Sequence, residues 1–83
     1  MNIKKLSKAL RSNGIPCMYL DETHLQIQGI DLIFLSDSLV KTKKQSFRFS
    51  YMKEFLRLLD NAWIVSLDEQ RMKAIIKYYK NHS

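Results

Sequence analysis

Cys17-Met18-Tyr19-Leu20-Asp21-Glu22-Thr23-His24-Leu25-Gln26-Ile27-Gln28-Gly29-Ile30-Asp31-Leu32-Ile33-Phe34-Leu35-Ser36 is the stretch that decides the fold. Its middle alternates, with Leu25 and Ile27 on one side and His24, Gln26 and Gln28 on the other, which is the period of a half-buried strand. A two-residue turn at Asp21-Glu22 would join it to a strand over residues 17–20, setting Leu20 opposite Thr23 and Tyr19 opposite His24. Met18, Leu20, Leu25 and Ile27 then form the core face, and Cys17, Tyr19, His24, Gln26 and Gln28 the wetter one, with His24 beside Tyr19. Gly29-Ile30 suits a second hairpin turn with glycine at its first central position. The unbroken Leu32-Ile33-Phe34-Leu35 run of the third strand, residues 31–36, implies partial cover on both faces.

Helical patterns flank this region. Ile3, Leu6, Ala9 and Leu10 make one apolar stripe, and Asn13-Gly14 followed by Pro16 ends it. Downstream, Met52, Phe55, Leu56, Leu59 and Trp63 recur at helical spacing after Ser50, a fair N-cap. Ser66-Leu67-Asp68-Glu69 reads as a capping box opening a third helix, whose buried stripe is Met72, Ile75, Ile76 and Tyr79. Residues 37–50 are the least regular: Lys41-Thr42-Lys43-Lys44-Gln45 reads as an exposed loop, and Phe47-Arg48-Phe49 as a fourth strand or an extended lead-in. The fold class is α+β, a small antiparallel sheet of three or four strands with helices on one face, in the order α-β-β-β-α-α over one domain, 1–83.

Composition narrows the function. One cysteine, Cys17, forms no internal disulfide, so the core must hold the fold, and a reducing compartment is the natural setting. The charged, amphipathic start and the absence of a long apolar run give the expectation of a cytoplasmic protein without a membrane anchor. Two glycines cannot write a phosphate-binding loop, and Cys17, His24 and His82 lack metal-ligand spacing, so neither cofactor nor metal is expected. Asp21-Glu22 and Asp68-Glu69 are adjacent in sequence, which turns their side chains apart and suits a turn and a helix start rather than acid–base catalysis.

The net charge of +6 is uneven: residues 1–20 carry +4, residues 21–40 carry −4, residues 41–60 carry +4 and residues 61–83 carry +2. Lys4, Lys8 and Arg11 fall on the first helix, Lys41, Lys43, Lys44 and Arg48 around the loop, and Lys53 and Arg57 on the second helix. Cations of this kind bind phosphates by releasing counterions, without sequence preference. Lys4, Lys8, Arg11, Lys41, Lys43, Lys44 and Arg48 are the candidate nucleic-acid contacts. Tyr19, Phe47, Phe49, Tyr51 and Tyr78 are available for base stacking or for the core, and the core is the better reading for Phe47 and Phe49.

Lys5-Leu6-Ser7-Lys8-Ala9-Leu10-Arg11-Ser12-Asn13-Gly14, followed by Thr23-His24-Leu25-Gln26-Ile27, resembles over residues 4–60 the αβββα order of the double-stranded-RNA-binding fold and the small HicA-type mRNA interferases. The resemblance implies RNA ahead of DNA as ligand. It also makes His24 the candidate catalytic residue of a ribonuclease, since that family acts through a histidine on the second strand. The sequence departs from the pattern where Asp21-Glu22-Thr23 precedes the histidine, because two acids there repel a phosphate.

The expectation is therefore a small basic nucleic-acid-binding module, with catalysis left open only for a His24-dependent ribonuclease. The alternative is a protein-binding regulator or inhibitor of the kind mobile genetic elements encode. It would dock on an acidic or nucleic-acid-handling protein, or on a second copy of itself, through Ile33, Leu35, Tyr51, Leu58, Ile64 and Tyr78.

Overall fold

Asn2 opens the first helix by accepting a 3.0 Å hydrogen bond from the Lys5 amide, one of the donors a helix start leaves without an intrahelical partner. In the computed structural model, which describes residues 1–82, this helix is α1 (Ile3–Ser12). It ends at Asn13, and Gly14 follows at φ +78°, the left-handed stop expected of Asn-Gly. A sheet then runs through β1 (Cys17–Asp21), β2 (His24–Ile27), β3 (Ile30–Ser36), β4 (Leu39–Lys41) and β5 (Ser46–Arg48), and α2 (Met52–Asn61) and α3 (Glu69–Asn81) complete the chain. The protein is thus α+β, with one five-stranded antiparallel sheet in the spatial order β1-β2-β3-β4-β5.

Five strands replace the three or four expected. The two additions are only three residues long, and each turns one apolar side chain, Val40 or Phe47, toward the core. Thr42 closes the hairpin between them. Its amide donates to the Gln45 carbonyl at 2.8 Å, and its hydroxyl accepts from the Lys44 and Gln45 amides at 3.2 and 3.3 Å. The segment read as a loop is therefore the tip of a hairpin.

The first hairpin corrects the assignment of faces. Asp21, not Tyr19, pairs with His24 at the start of β2, and the register shifts between Tyr19 and Asp21. This bulge at Leu20 sets Cys17 opposite Ile27 and Tyr19 opposite Leu25. Cys17 and Tyr19 consequently pack against the core, while Met18 and Leu20 stand exposed on the opposite face. A one-residue slip moves every side chain to the other side of a strand.

The second turn is Gln28-Gly29, with Ile30 already paired to Ile27. Both turn residues have positive φ, +49° and +82°, the signature of a type I′ turn, whose twist matches that of the strands.

The core lies between the sheet and the helices. Leu25, Ile27, Leu32, Phe34 and Val40 meet Leu6, Leu10, Phe55, Leu56, Leu59 and Ile75, all buried. Phe55 of α2 packs on Phe34 and Phe49 with centroids 5.6 and 5.1 Å apart, α1 lies over β1 and β2, and α3 packs on α1 and α2. Two helix starts differ from expectation. Tyr51, not Ser50, is the N-cap of α2, and Ser50 instead donates its amide to Glu54 at 2.7 Å. Asp68, not Ser66, caps α3 by accepting from the Arg71 amide at 2.8 Å. Capping there leaves Leu67 just outside the helix and Met72 in its second turn to enter the core together, as a hydrophobic staple.

The turn geometry is testable by urea unfolding. Gly29→Ala meets no atom within 4 Å, so its cost is backbone strain alone, about 1–2 kcal/mol. Gln28→Asn, which suits the left-handed region better, raises stability by a few tenths of a kcal/mol, roughly. A Gln28→Asn variant less stable than the parent would contradict the type I′ assignment.

Candidate nucleic-acid interface

All seven candidate cations are exposed, and among the described residues none forms an ion pair. By contrast, Lys53 and Arg57 of α2 share Glu69 at 2.8 and 3.1 Å. The Lys53 hydrogen bond, helped by Arg57, holds the Glu69 carboxyl below its usual value. Lys5 is spent differently, with its Nζ 4.9 Å from the centre of the Tyr79 ring.

The seven do not form one surface. Lys41 and Arg48 lie on the face of β4 and β5 turned from the core, since Val40 and Phe47 take the inward positions. Lys43 and Lys44 occupy the hairpin tip that Thr42 braces. They line a cavity of about 310 Å³ together with Gly29, Ile30, Asp31, Ala62 and Ile64. Arg11 lies across the Gly29 turn, in a neighbouring depression with Gln28 and Gly29. Lys4 is elsewhere, grouped with Tyr19 and Glu22, and Lys8 lines a shallow depression with Arg11, Ser12 and Tyr78. α1 lies over β1 and β2, whereas β4 and β5 are at the other edge of the sheet.

His24 begins β2, with its side chain 28% exposed. Its Nε2 lies 3.3 Å from Asp31 Oδ1 but off the hydrogen-bonding direction and without a partner, and Gln26 donates to that same oxygen at 3.1 Å. Across the sheet the row runs His24, Ile33, Lys41, so an isoleucine separates the imidazole from the nearest strand cation. Asp21, paired with His24, accepts from the Thr23 amide at 2.8 Å and from its hydroxyl at 3.0 Å, which lowers its pKa.

Cys17, expected to share the open face with His24, lies on the opposite one. Its thiol donates to Ser7 Oγ at 3.3 Å, and burial raises its pKa against the opposing effects of that hydrogen bond and of Arg11. Tyr19 is likewise on the core side and does not stack on His24.

The sequence did not flag Trp63. Its place on the α2 stripe required the helix to continue, but α2 ends at Asn61 and Trp63 is 94% exposed at φ +62°. The one cue was Ile64-Val65 directly after it: two buried β-branched neighbours do not share a stripe with Trp63. Met18 and Leu35 are also more than half exposed, at 55% and 54%. Of the six residues assigned to a protein interface, Ile64 is buried, Ile33, Leu58 and Tyr78 are half-buried, and Leu35 and Tyr51 are exposed.

Among the described residues no three His, Cys, Asp or Glu side chains gather as a metal site, and no helix is long and apolar enough to cross a membrane. No family model, curated protein or solved structure matches the chain.

The thiol provides a check on this geometry. A raised pKa keeps Cys17 protonated in the native state as pH rises through the ordinary thiol range, so native protein at pH 8 reacts with iodoacetamide more slowly than urea-unfolded protein. Equal rates would show that Cys17 is not held under α1.

Proposed function

We propose that the chain is a non-enzymatic nucleic-acid-binding module whose contact surface is the β4–β5 hairpin. The observation that carries this reading is that Lys41, Lys43, Lys44 and Arg48 fall within one short hairpin, exposed and without ion pairs among the described residues. Phosphates attract such a group through counterion release, and the braced tip lowers the entropy lost on binding. The site is smaller than the seven residues assigned from sequence. At physiological ionic strength, fields between exposed charges fade over about 8 Å, so Lys4 and Lys8, carried by α1 over β1 and β2, add little to the hairpin at the other edge of the sheet. Arg11, across the Gly29 turn, is the member of α1 best situated to join it.

His24 is not needed in this reading. An acid on either side of the imidazole, Asp21 and Asp31, opposes the approach of a phosphodiester.

A second reading has its own support. Met18, Leu20 and Leu35 are exposed on the face of the sheet turned from the helices, and Ile33 and Leu39 are half-buried there. An apolar centre with Lys41 and Arg48 at one side is the composition of a protein interface with a polar rim, and an acidic partner fits that rim.

Anisotropy of a labelled oligonucleotide, titrated at several salt concentrations, separates the two. Four hairpin contacts to a single strand predict a log–log slope of roughly −3. Lys43→Ala with Lys44→Ala weakens binding and reduces the slope by about 1.4, whereas Lys4→Ala with Lys8→Ala changes it little. No binding at low salt, or affinity indifferent to salt, removes the nucleic-acid reading and leaves the sheet face.

A further inference from the structure

Ile30 is an apolar side chain left uncovered on the side of the sheet where the helices pack. It pairs with Ile27, so the two share a face, yet Ile27 is fully buried and Ile30 is 37% exposed. α1 lies over β1 and β2, and α2 ends at Asn61. Ala62 and Ile64, which follow α2, line one cavity with Ile30. Their backbone is fixed: the Ala62 amide donates to the Leu58 carbonyl at 2.9 Å and the Ile64 amide to the Leu59 carbonyl at 3.0 Å. The apolar slot between the sheet and the end of α2 is therefore set by the fold and needs no ligand to form it.

The lining says what fits. A volume of about 310 Å³ is at the small end of the range for small-molecule sites, about 300–1,000 Å³, which suits one flat ring system rather than a larger body. Lys43 and Lys44 line the same cavity, and among the described residues neither forms an ion pair. An apolar slot beside two free ammonium groups matches a flat ring that carries negative charge a few bonds away, which is the make-up of a nucleotide. Gln45, also in the lining, has a side-chain amide able to pair with a base edge. Asp31 lines the cavity too, but its carboxylate is engaged elsewhere. It accepts from Gln26 Nε2 at 3.1 Å and lies 3.3 Å from His24 Nε2, and both partners stand on the open face, since Leu25 and Ile27 take the helix side.

We infer that this cavity takes one extruded base of the strand bound at the hairpin, packed between Ile30 and Ile64 while the adjoining phosphates lie along Lys43 and Lys44. This rests on the nucleic-acid reading above and names the part of the ligand that the cavity holds. Apolar side chains on both faces are a common way to hold a base taken out of its stack. Removing a base from a duplex costs its stacking and pairing energy, so an unpaired strand is the better ligand.

A short DNA strand and its RNA counterpart, each with the fluorescent base aminopurine at its centre, are titrated with the full chain. Anisotropy of the end-labelled strands and of a duplex of equal length is followed in parallel. Insertion predicts aminopurine emission that rises as the base leaves its stacked neighbours and saturates with the anisotropy signal, and single strands that bind more tightly than duplex. Ala62→Leu, which adds bulk to the cavity wall, abolishes the rise and lowers single-strand affinity about tenfold, with duplex affinity as in the parent. Ile30→Ala, at a partly exposed position, removes the opposite wall, acts in the same direction, and serves if the larger side chain is not accommodated. The two strands separate DNA from RNA. Emission unchanged on binding, or single-strand affinity unchanged in the folded variants, overturns the insertion and leaves the phosphate reading standing. No anisotropy change with any strand overturns both. Circular dichroism of each variant separates loss of binding from loss of fold.

Discussion

The bulge at Leu20 is the constraint on which the other features depend. All four residues of 17–20 are apolar, so hydrophobicity alone lets either parity of β1 face inward. The Asp21 side chain, accepting from the Thr23 amide and hydroxyl, fixes the turn one residue later than alternation suggests. The bulge then restores the pairing of Tyr19 with Leu25 and Cys17 with Ile27. With that register, Cys17 meets Ser7 under α1, and that contact gives a partner to the hydroxyl of Ser7, the one buried polar residue among the described residues. The opposite register would bury Met18 and Leu20 and lose that partner.

From β2 onward the sheet is a meander, each strand paired to its sequence neighbour. This brings the two hairpin ends on one side, the Gln28-Gly29 turn and the Lys43-Lys44 tip, beside the end of α2. The ion pairs of Glu69 with Lys53 and Arg57 contribute little stability, being exposed. Their effect is on charge distribution. They neutralise part of α2, whereas the hairpin cations form no ion pair among the described residues. The scaffold is helix-backed and regular, whereas the charge and the exposed indole sit on connecting segments, where functional side chains generally concentrate.

What was legible in the sequence follows from how redundant each signal was. The first helix carried a stripe, an Asn-Gly stop and a proline beyond it, and the structure has all three in those places. The stripes of α2 and α3 were equally plain in Phe55, Leu56, Leu59, Met72 and Ile75. The caps were not, because Ser50 competes with Tyr51 and Ser66 with Asp68 within a residue or two, and tertiary packing of Leu67 decides the second case. β4 and β5 were obscured because a three-residue strand with one inward side chain has no period to detect. Of the candidate site, the residue types were readable and their grouping was not. Seven cations look alike in sequence, and only the meander separates Lys4 and Lys8 from Lys43 and Lys44. Trp63 was absorbed into a helical stripe because its spacing from Leu59 fits one, and the Ile64-Val65 pair after it is a weaker signal than that spacing.

Charged substitution on β1 probes the register most directly. In urea unfolding, Leu20→Lys projects into solvent and costs about 0.5 kcal/mol or less, while Tyr19→Lys forces an ammonium against the core and costs about 2 kcal/mol or more. The reverse order, with Leu20→Lys the damaging change, would mean that β1 pairs without the bulge, and the assignment of the core and open faces would fall with it.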